Sequence, residues 1–324
     1  MPSPFGFTTD CDDVVKAFAD RVKGRTFLVT GTTAGGLGAN TVLSLARQAP
    51  AHIILVSRTR AKTEPVLSQL ARESPGVKTT FVACELSDLD SVRAAAEQIN
   101  SAESGIGAID VVINNAGVMA IPYQTDKRGH ELTLSSNHIG HFLLTNLILP
   151  KVLAAGPGAR IVNVSSNGHR ISNFRFDDPD FSGGEATYEK WTAYGQSKTA
   201  NVLFSVALAE RLADRGVFAF SVHPGGIFDT GLTAHLDEAE FAQIKTVAER
   251  NNWPGVFVLD PPKTLSQGTS PIVAAALDPE LEARNGAFID DCQFGRAEAY
   301  ALDREAARRL WALSEEMVGQ KFDL

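Results

Sequence analysis

The sequence predicts an α/β fold: one domain built on a doubly wound, mostly parallel sheet of seven strands with helices on both faces. Three observations predict it. Short apolar runs alternate with longer amphipathic segments along most of the chain, the pattern of βαβ units. Runs such as IILV and DVVI are apolar without alternation, as strands covered on both faces are. A glycine-rich segment, GTTAGGLG at 31–38, links the first apolar run to the first amphipathic one.

The elements follow in order. Residues 1–24 read as a helical extension packed on the body, because Val14, Val15, Phe18, Ala19 and Val22 share one helical face. Strands are expected at 26–30, 52–57, 79–83, 109–114, 160–165, 218–223 and 287–290. Helices are expected at 39–48, 62–73, 88–100, 129–149, 193–214 and 262–277. Asp88 and Asp90 suit the start of the third. Residues 25–300 form the main body. Residues 301–324 hold a C-terminal helix that docks through Leu310, Trp311 and Leu313. Two stretches, 166–193 and 225–262, resist regular assignment. Both follow strand ends, where open α/β sheets bind ligands, so both are expected to be substrate loops.

Composition narrows the function. The 324 residues can bury a large core, and 27 glycines with 15 prolines are far from low complexity. A net charge of -8 argues against nucleic acid as a partner. No apolar run is long enough for a membrane span, and the N-terminus lacks the pattern of a secretory signal. Cys11, Cys84 and Cys292 are widely spaced and form no CxxC, which suits a reducing compartment. The expected location is cytoplasmic. His138 and His141 stand three apart on a helix with no third ligand at a zinc-site spacing, so no metal is expected. His169 either lines a pocket or serves its loop, and Asp177-Asp178-Pro179-Asp180 reads as a turn.

The glycine segment fits a dinucleotide. Glycines there let a pyrophosphate approach a helix N-terminus, where free N–H groups and the helix dipole favour negative charge. The end of the second strand bears on which dinucleotide. Asp or Glu there would hold ribose hydroxyls, whereas Arg accommodates a 2′-phosphate. The residues are Ser57 and Arg58, followed by Arg60 and Lys62. This favours NADP(H), with Arg58 as the phosphate ligand; Arg60 and Lys62 suit a solvated helix start equally well.

Further motifs stand downstream: Asn114-Asn115-Ala116-Gly117 at a strand end, Asn137 in a helix, Ser165-Ser166 at another strand end, and Tyr194 with Lys198 opening a long helix. Tyr and Lys four apart share one helix face. A phenol is a poor base at neutral pH, and a nearby ammonium favours its ionised form.

In this ordered set the sequence resembles the short-chain dehydrogenase/reductase family, in its retinol dehydrogenase-like and carbonyl reductase-like branch. VNVSSNGH, SKTANVLFSVALAERL, FSVHPGG and GAFIDDC extend the likeness over residues 24–291. The resemblance implies a Rossmann fold and an NADP(H)-dependent oxidoreductase. Tyr194 would be the general acid in carbonyl reduction and the base in alcohol oxidation. Lys198 would tune it and hold the nicotinamide ribose. Ser166 would hold the substrate oxygen, with Ser165 the weaker candidate. Asn137 would bend its helix and position a relay water. Gly31, Thr33, Gly35, Gly36, Leu37, Ser57, Arg58, Glu85, Leu86, Asn115, Ala116, Gly117, Pro224, Gly225, Ile227 and Thr230 would flank the cofactor.

Three departures from the family pattern stand out. The glycine turn is one residue longer than TGxxxGxG, Glu85 replaces the usual Asp, and Asp229-Thr230 occupies the place of a lone Thr or Ser. Aromatics crowd the two loops: Phe174, Phe176, Phe181, Tyr188 and Trp191, then Phe228, Phe241, Trp253 and Phe257. They suggest an apolar or aromatic carbonyl or alcohol substrate of small to medium size. The alternative is an NADP(H)-binding sensor or scaffold with little turnover; a sugar-nucleotide epimerase is a third reading. A homodimer through the Tyr194 helix is open.

Overall fold

Strand β1 (Thr26–Thr30) sits inside a sheet of order β3-β2-β1-β4-β5-β6-β7-β8. The computed structural model describes residues 4–251, 257 and 259–323. The partners of β1 are β2 (His52–Ser57) and β4 (Val111–Asn114), both parallel. Outward lie β3 (Lys78–Ala83) on one side and β5 (Arg160–Val164), β6 (Phe218–His223) and β7 (Phe288–Asp290) on the other. The strand order reverses between β1 and β4. Connections diverge there and leave a crevice at the C-terminal strand ends.

The seven expected strands form, and an eighth joins them. Strand β8 (Gln293–Phe294) pairs antiparallel with β7. Asp291 and Cys292 both take positive φ, 48° and 64°, so the chain reverses in two residues. Such turns are usually signalled by Gly or Asn-Gly, which this segment lacks.

Helices cover both faces. On one lie α1 (Cys11–Ala17), α2 (Leu37–Ala46), α3 (Arg60–Glu73) and α9 (Leu265–Leu277). On the other lie α4 (Leu89–Asn100), α6 (Gly140–Ala154) and α7 (Lys190–Leu212), with α10 (Arg304–Val318) packed on α7. Leu310 and Trp311 of α10 are buried, and Leu313 packs against the core. The Tyr194 helix is thus covered within its own chain: Trp311 meets Phe204 and Phe142.

Two segments correct the expected pattern. The helix expected at 129–149 begins at Leu132 and ends at Ala154. Its carboxylate cap is Glu131, which accepts the N–H groups of Thr133 and Leu134 at 2.8 and 2.7 Å. A short turn α5 (Leu132–Leu134) passes through a π-helical turn, Ser135–Ile139, into α6. The stretch 225–262 is not all loop: it contains α8 (Glu238–Arg250), started by a capping box between Asp237 and Glu240. The stretch 166–193 carries only short 3₁₀ turns before α7.

Candidate active site

The crevice opens into a cleft of about 620 Å³. Its floor is the turn after β1. At Gly31 φ is 73°, and a β-carbon there would stand 2.8 Å from the Ala116 Cα. A β-carbon on Gly38 would meet the Gly31 oxygen at 2.5 Å and the Asn115 side chain at 2.6 Å. Both glycines therefore permit a close crossing of backbones. The extra residue of the turn is absorbed at Gly35, which has φ 78° with nothing near its missing side chain. Gly35 shapes the turn but does not line the cleft, whereas Gly31, Thr33, Gly36 and Leu37 do. Gly36 precedes α2 and no side chain caps that helix, so its first N–H groups are left for an anion. This fits a dinucleotide pyrophosphate.

Behind the turn lies a buried polar network. Thr30 Oγ1 accepts the N–H groups of Asn115 and Ala116, both at 2.9 Å. Its own proton can then point to His141 Nε2, 2.8 Å away. The other ring nitrogen of His141 stands 3.0 Å from the Asn137 backbone oxygen and donates to it. Burial holds His141 neutral, with its pKa pushed down to about 4. The Asn137 side chain accepts from Val118 N and donates to Val118 O and Ser197 Oγ. The π turn thus pins Asn137 by both side chain and main chain. Gly117 leaves room for it, since a β-carbon there would stand 3.0 Å from Asn137 Oδ1.

The expected Ser, Tyr and Lys meet across the cleft. Helix α7 starts at Lys190, three residues before the expected start, because Glu189 caps the N–H groups of Trp191 and Thr192. Ser165 turns inward and donates to the Lys198 carbonyl oxygen at 2.8 Å. Ser166 lines the cleft on the side of the Tyr194 phenol and accepts the Gly168 N–H at 2.9 Å. Lys198 Nζ lies 5.5 Å from the Tyr194 ring centre and donates to Val164 O at 3.1 Å. Burial dominates both acids. It raises Tyr194 to about 12, opposed by the Ser166 hydroxyl and aided by the charge of Asp260. It lowers Lys198 to about 8. In this state the phenol holds its proton, so it is set up as a proton donor.

At the β2 end, Ser57 Oγ accepts the Thr32 N–H at 2.8 Å. Arg58 and Lys62 line the cleft. Arg60 does not: it pairs with Glu64 and lies over Phe81. Arg58 also reaches Glu85, 3.2 Å away, while Glu85 accepts from Ser87. Leu86, Asn115, Ala116, Pro224, Gly225, Ile227 and Thr230 line the cleft, but Asp229 is not among the lining residues. His169 serves its loop, bonded to Ser166 O and Glu298 N. Asp178 closes its turn by accepting the Ser182 N–H. Of the loop aromatics, Trp191, Phe228, Phe241 and Phe257 face the cleft. Phe174 packs on Phe176 and Phe181 on Tyr188, while Trp253 lies outside the described residues. Among the described residues no group of three metal-ligating side chains forms, and no helix is long and apolar enough to cross a membrane.

Four residues have places at this site that the sequence did not assign them: Thr30, His141, Gly168 and Asp260. A β-carbon on Gly168 would lie 2.6 Å from Tyr194 Cε1, so the phenol lies against this glycine. His141 carries a signal, being one helical turn beyond Asn137. Asp260 carries none, because it reaches the site from 66 residues beyond Tyr194.

A model of the short chain dehydrogenase family matches residues 25–177. Retinol dehydrogenase 14 from Homo sapiens is 35% identical over 309 residues, covering 91% of this chain and 87% of the relative. A crystal structure of an uncharacterised protein from Mycobacterium Paratuberculosis superposes with TM-score 0.68 at 31% identity, covering 93% of this chain and 96% of that one. The NADPH-bound carbonyl reductase from chicken fatty liver shares the fold, with TM-score 0.61 at 22% identity, covering 85% of this chain and 100% of that one.

Proposed function

The chain belongs to the short-chain dehydrogenase/reductase family, in its retinol dehydrogenase-like branch, and on that footing we propose that it is an NADP(H)-dependent carbonyl reductase or alcohol dehydrogenase. Its substrate is a small to medium apolar or aromatic compound. The observation that carries the reading is the convergence of Ser166, Tyr194 and Lys198 on one cleft, opposite a glycine turn.

The bound cofactor would supply or accept the hydride. The chain's own residues do the rest. Ser166 and Tyr194 hold the substrate oxygen, and the Tyr194 phenol gives it a proton as the carbonyl becomes an alcohol. Lys198, held by Val164 O, places an ammonium near the phenol and offsets charge that develops on it. Asn137, pinned through His141, holds the space behind Lys198. Gly31, Thr33, Gly36 and Leu37 would cradle the pyrophosphate, with Gly35 shaping their turn. Asn115, Ala116, Gly117, Pro224, Gly225, Ile227 and Thr230 would border the nicotinamide half.

The preference for NADP(H) is supported by an uncharged Ser57 and by two cations, Arg58 and Lys62, on the cleft wall. Glu85 would serve indirectly, by orienting Arg58. The nonpolar wall of Trp191, Phe228, Phe241 and Phe257 supports an apolar substrate. The three unpaired, buried thiols support a cytoplasmic location. The meeting of the acid-base residues argues for turnover over a cofactor sensor.

NADPH oxidation measured with a panel of ketones and aldehydes tests the reading. Wild type should turn over at least one class, and Tyr194→Phe should lose roughly 10²- to 10⁴-fold in kcat. Equal rates for the two proteins would remove Tyr194 from the reaction. Faster turnover with NADH than with NADPH would overturn the cofactor assignment.

A further inference from the structure

Only two acidic residues line the cleft among the described residues, Glu85 and Asp260. Glu85 stands at the β2–β3 end, against Arg58. Asp260 stands at the opposite end, on the segment between α8 and α9. It is held rather than loose. Its Oδ1 accepts from the Asn167 side chain at 2.8 Å, and its Oδ2 faces His223 Nε2 at 3.1 Å.

These two donors fix the carboxylate without cancelling its charge. His223 Nδ1 accepts the Asn167 backbone N–H at 3.1 Å. A ring nitrogen that accepts carries no proton, so the imidazole donates to Asp260 from Nε2. The neighbouring cations have partners of their own, and Arg170 also favours the ionised form of Asp260 from a distance. Lys263 pairs with Asp291, and Arg170 lies 3.7 Å from Glu298 and bonds Arg296 O. Asp290, also near, adds no positive charge. Asp260 keeps 30% of its side chain exposed. The cleft it shares is largely apolar, with Met119, Ile171, Trp191, Phe241, Ile244 and Leu259 among its lining residues. A lone negative charge in such a wall acts at longer range than one in water.

We propose that Asp260 selects substrates by charge: the site takes a carbonyl compound or alcohol whose apolar body bears a hydroxyl or amine donor, and it turns away carboxylates. Each carboxylate oxygen has lone-pair capacity beyond its one protein donor, so a substrate N–H or O–H finds an acceptor there. A substrate carboxylate would meet a like charge across a low-dielectric gap. This rests on the reductase reading, because it concerns the substrate half of the same cleft.

Four matched probes test it: 4-methylacetophenone, 4-(hydroxymethyl)acetophenone, 4-(aminomethyl)acetophenone and 4-acetylbenzoate. Each is titrated calorimetrically into the protein with NADP+ and separately assayed by NADPH oxidation. In wild type the amine and hydroxymethyl probes bind more tightly than the methyl probe. The carboxylate probe binds roughly 10- to 50-fold more weakly than the methyl probe. In Asp260→Asn that gap closes to about threefold or less, while Asp260→Glu keeps the wild-type order. The proposal is overturned if wild type binds the carboxylate as well as the methyl probe. Failure of the amine and hydroxymethyl probes to outbind the methyl probe also overturns it. So does a uniform loss for all four in Asp260→Asn, which would make Asp260 a latch on His223. Ordered binding without NADPH oxidation would sink the reductase reading alone and leave the charge selection standing.

Discussion

His141 stands with one ring nitrogen 3.0 Å from the backbone oxygen of Asn137, and its other nitrogen meets Thr30, at the end of β1. One neutral imidazole thus ties the π turn before α6 to the strand that carries the glycine turn. Replacing it with leucine orphans the Asn137 oxygen and the Thr30 proton. Each orphaned group costs about 1–3 kcal/mol. The expected result is a lower melting temperature, by calorimetry, together with a lower kcat. A variant with wild-type stability and rate would show the tie to be dispensable.

Gly168 limits the Tyr194 ring by contact alone, since its φ is not in the left-handed region. Alanine is therefore allowed by the backbone and excluded by the phenol. Gly168→Ala should bind NADPH as wild type does, by fluorescence titration, but turn over at least about tenfold more slowly. A loss of NADPH binding of the same size would place the effect elsewhere.

Arg58 is the expected ligand of the 2′-phosphate, and it is exposed enough to swing from Glu85. Removing a charge-assisted contact of this kind costs roughly tenfold or more in affinity. In Arg58→Ala the KM for NADPH should rise by that factor, while the KM for NADH should barely change. Equal effects on both cofactors would show that Arg58 shapes the strand end and does not read the phosphate.

Stability should depend steeply on acid. Burial pushes His138 and His169 to about 3, and His52 and His141 to about 4, from an ordinary value of 6.5. The unfolded chain takes up these protons below pH 6.5 and the folded chain refuses them. Stability is therefore full above pH 6.5 and falls as the pH drops from there toward 4. Four protons give a slope of at most about 5 kcal/mol per pH unit. Urea midpoints across this range check it, and His138→Gln should flatten the slope by about a quarter.

Arg160 is fully buried on β5 and closes the end of α9. It donates to Ala275 O and Asp278 O, both at 2.9 Å, and to Glu282 at 2.5 Å. Glu282 keeps a second partner in Arg21. Arg160→Ala therefore takes a donor from two helix-end carbonyls, of which the Asp278 oxygen keeps the Leu281 N–H, more than it strands a charge. The expected loss is about 2–4 kcal/mol in urea unfolding, with activity unchanged in the folded fraction.

Much of this molecule could be read from the chain. Runs such as IILV declared doubly covered strands, and TAYGQSK placed Tyr194 above Lys198 on one helix face. Helix α8 was also legible, since Asp237 and Glu240 form a capping box, but its mixed face hid it within a long loop. The hairpin to β8 was not, because neither Asp291 nor Cys292 announces a reversal.

Local order along the chain established which strands exist, which helix bears the phenol and ammonium, and where a phosphate could approach, because those depend on periodicity and on neighbours within one turn. It preferred Ser166 to Ser165 only through the family resemblance, left open whether Arg60 and Lys62 reach the cleft, and gave no sign that Asp260 looks into it. Folding settled these, because each depends on contacts between segments far apart in sequence. Ser165 is spent on the Lys198 carbonyl, Arg60 on Glu64 and Phe81, and His223 with Asn167 holds Asp260 at the wall. Side-chain direction and local field are set by such partners, and no spacing rule along a single strand or helix encodes them.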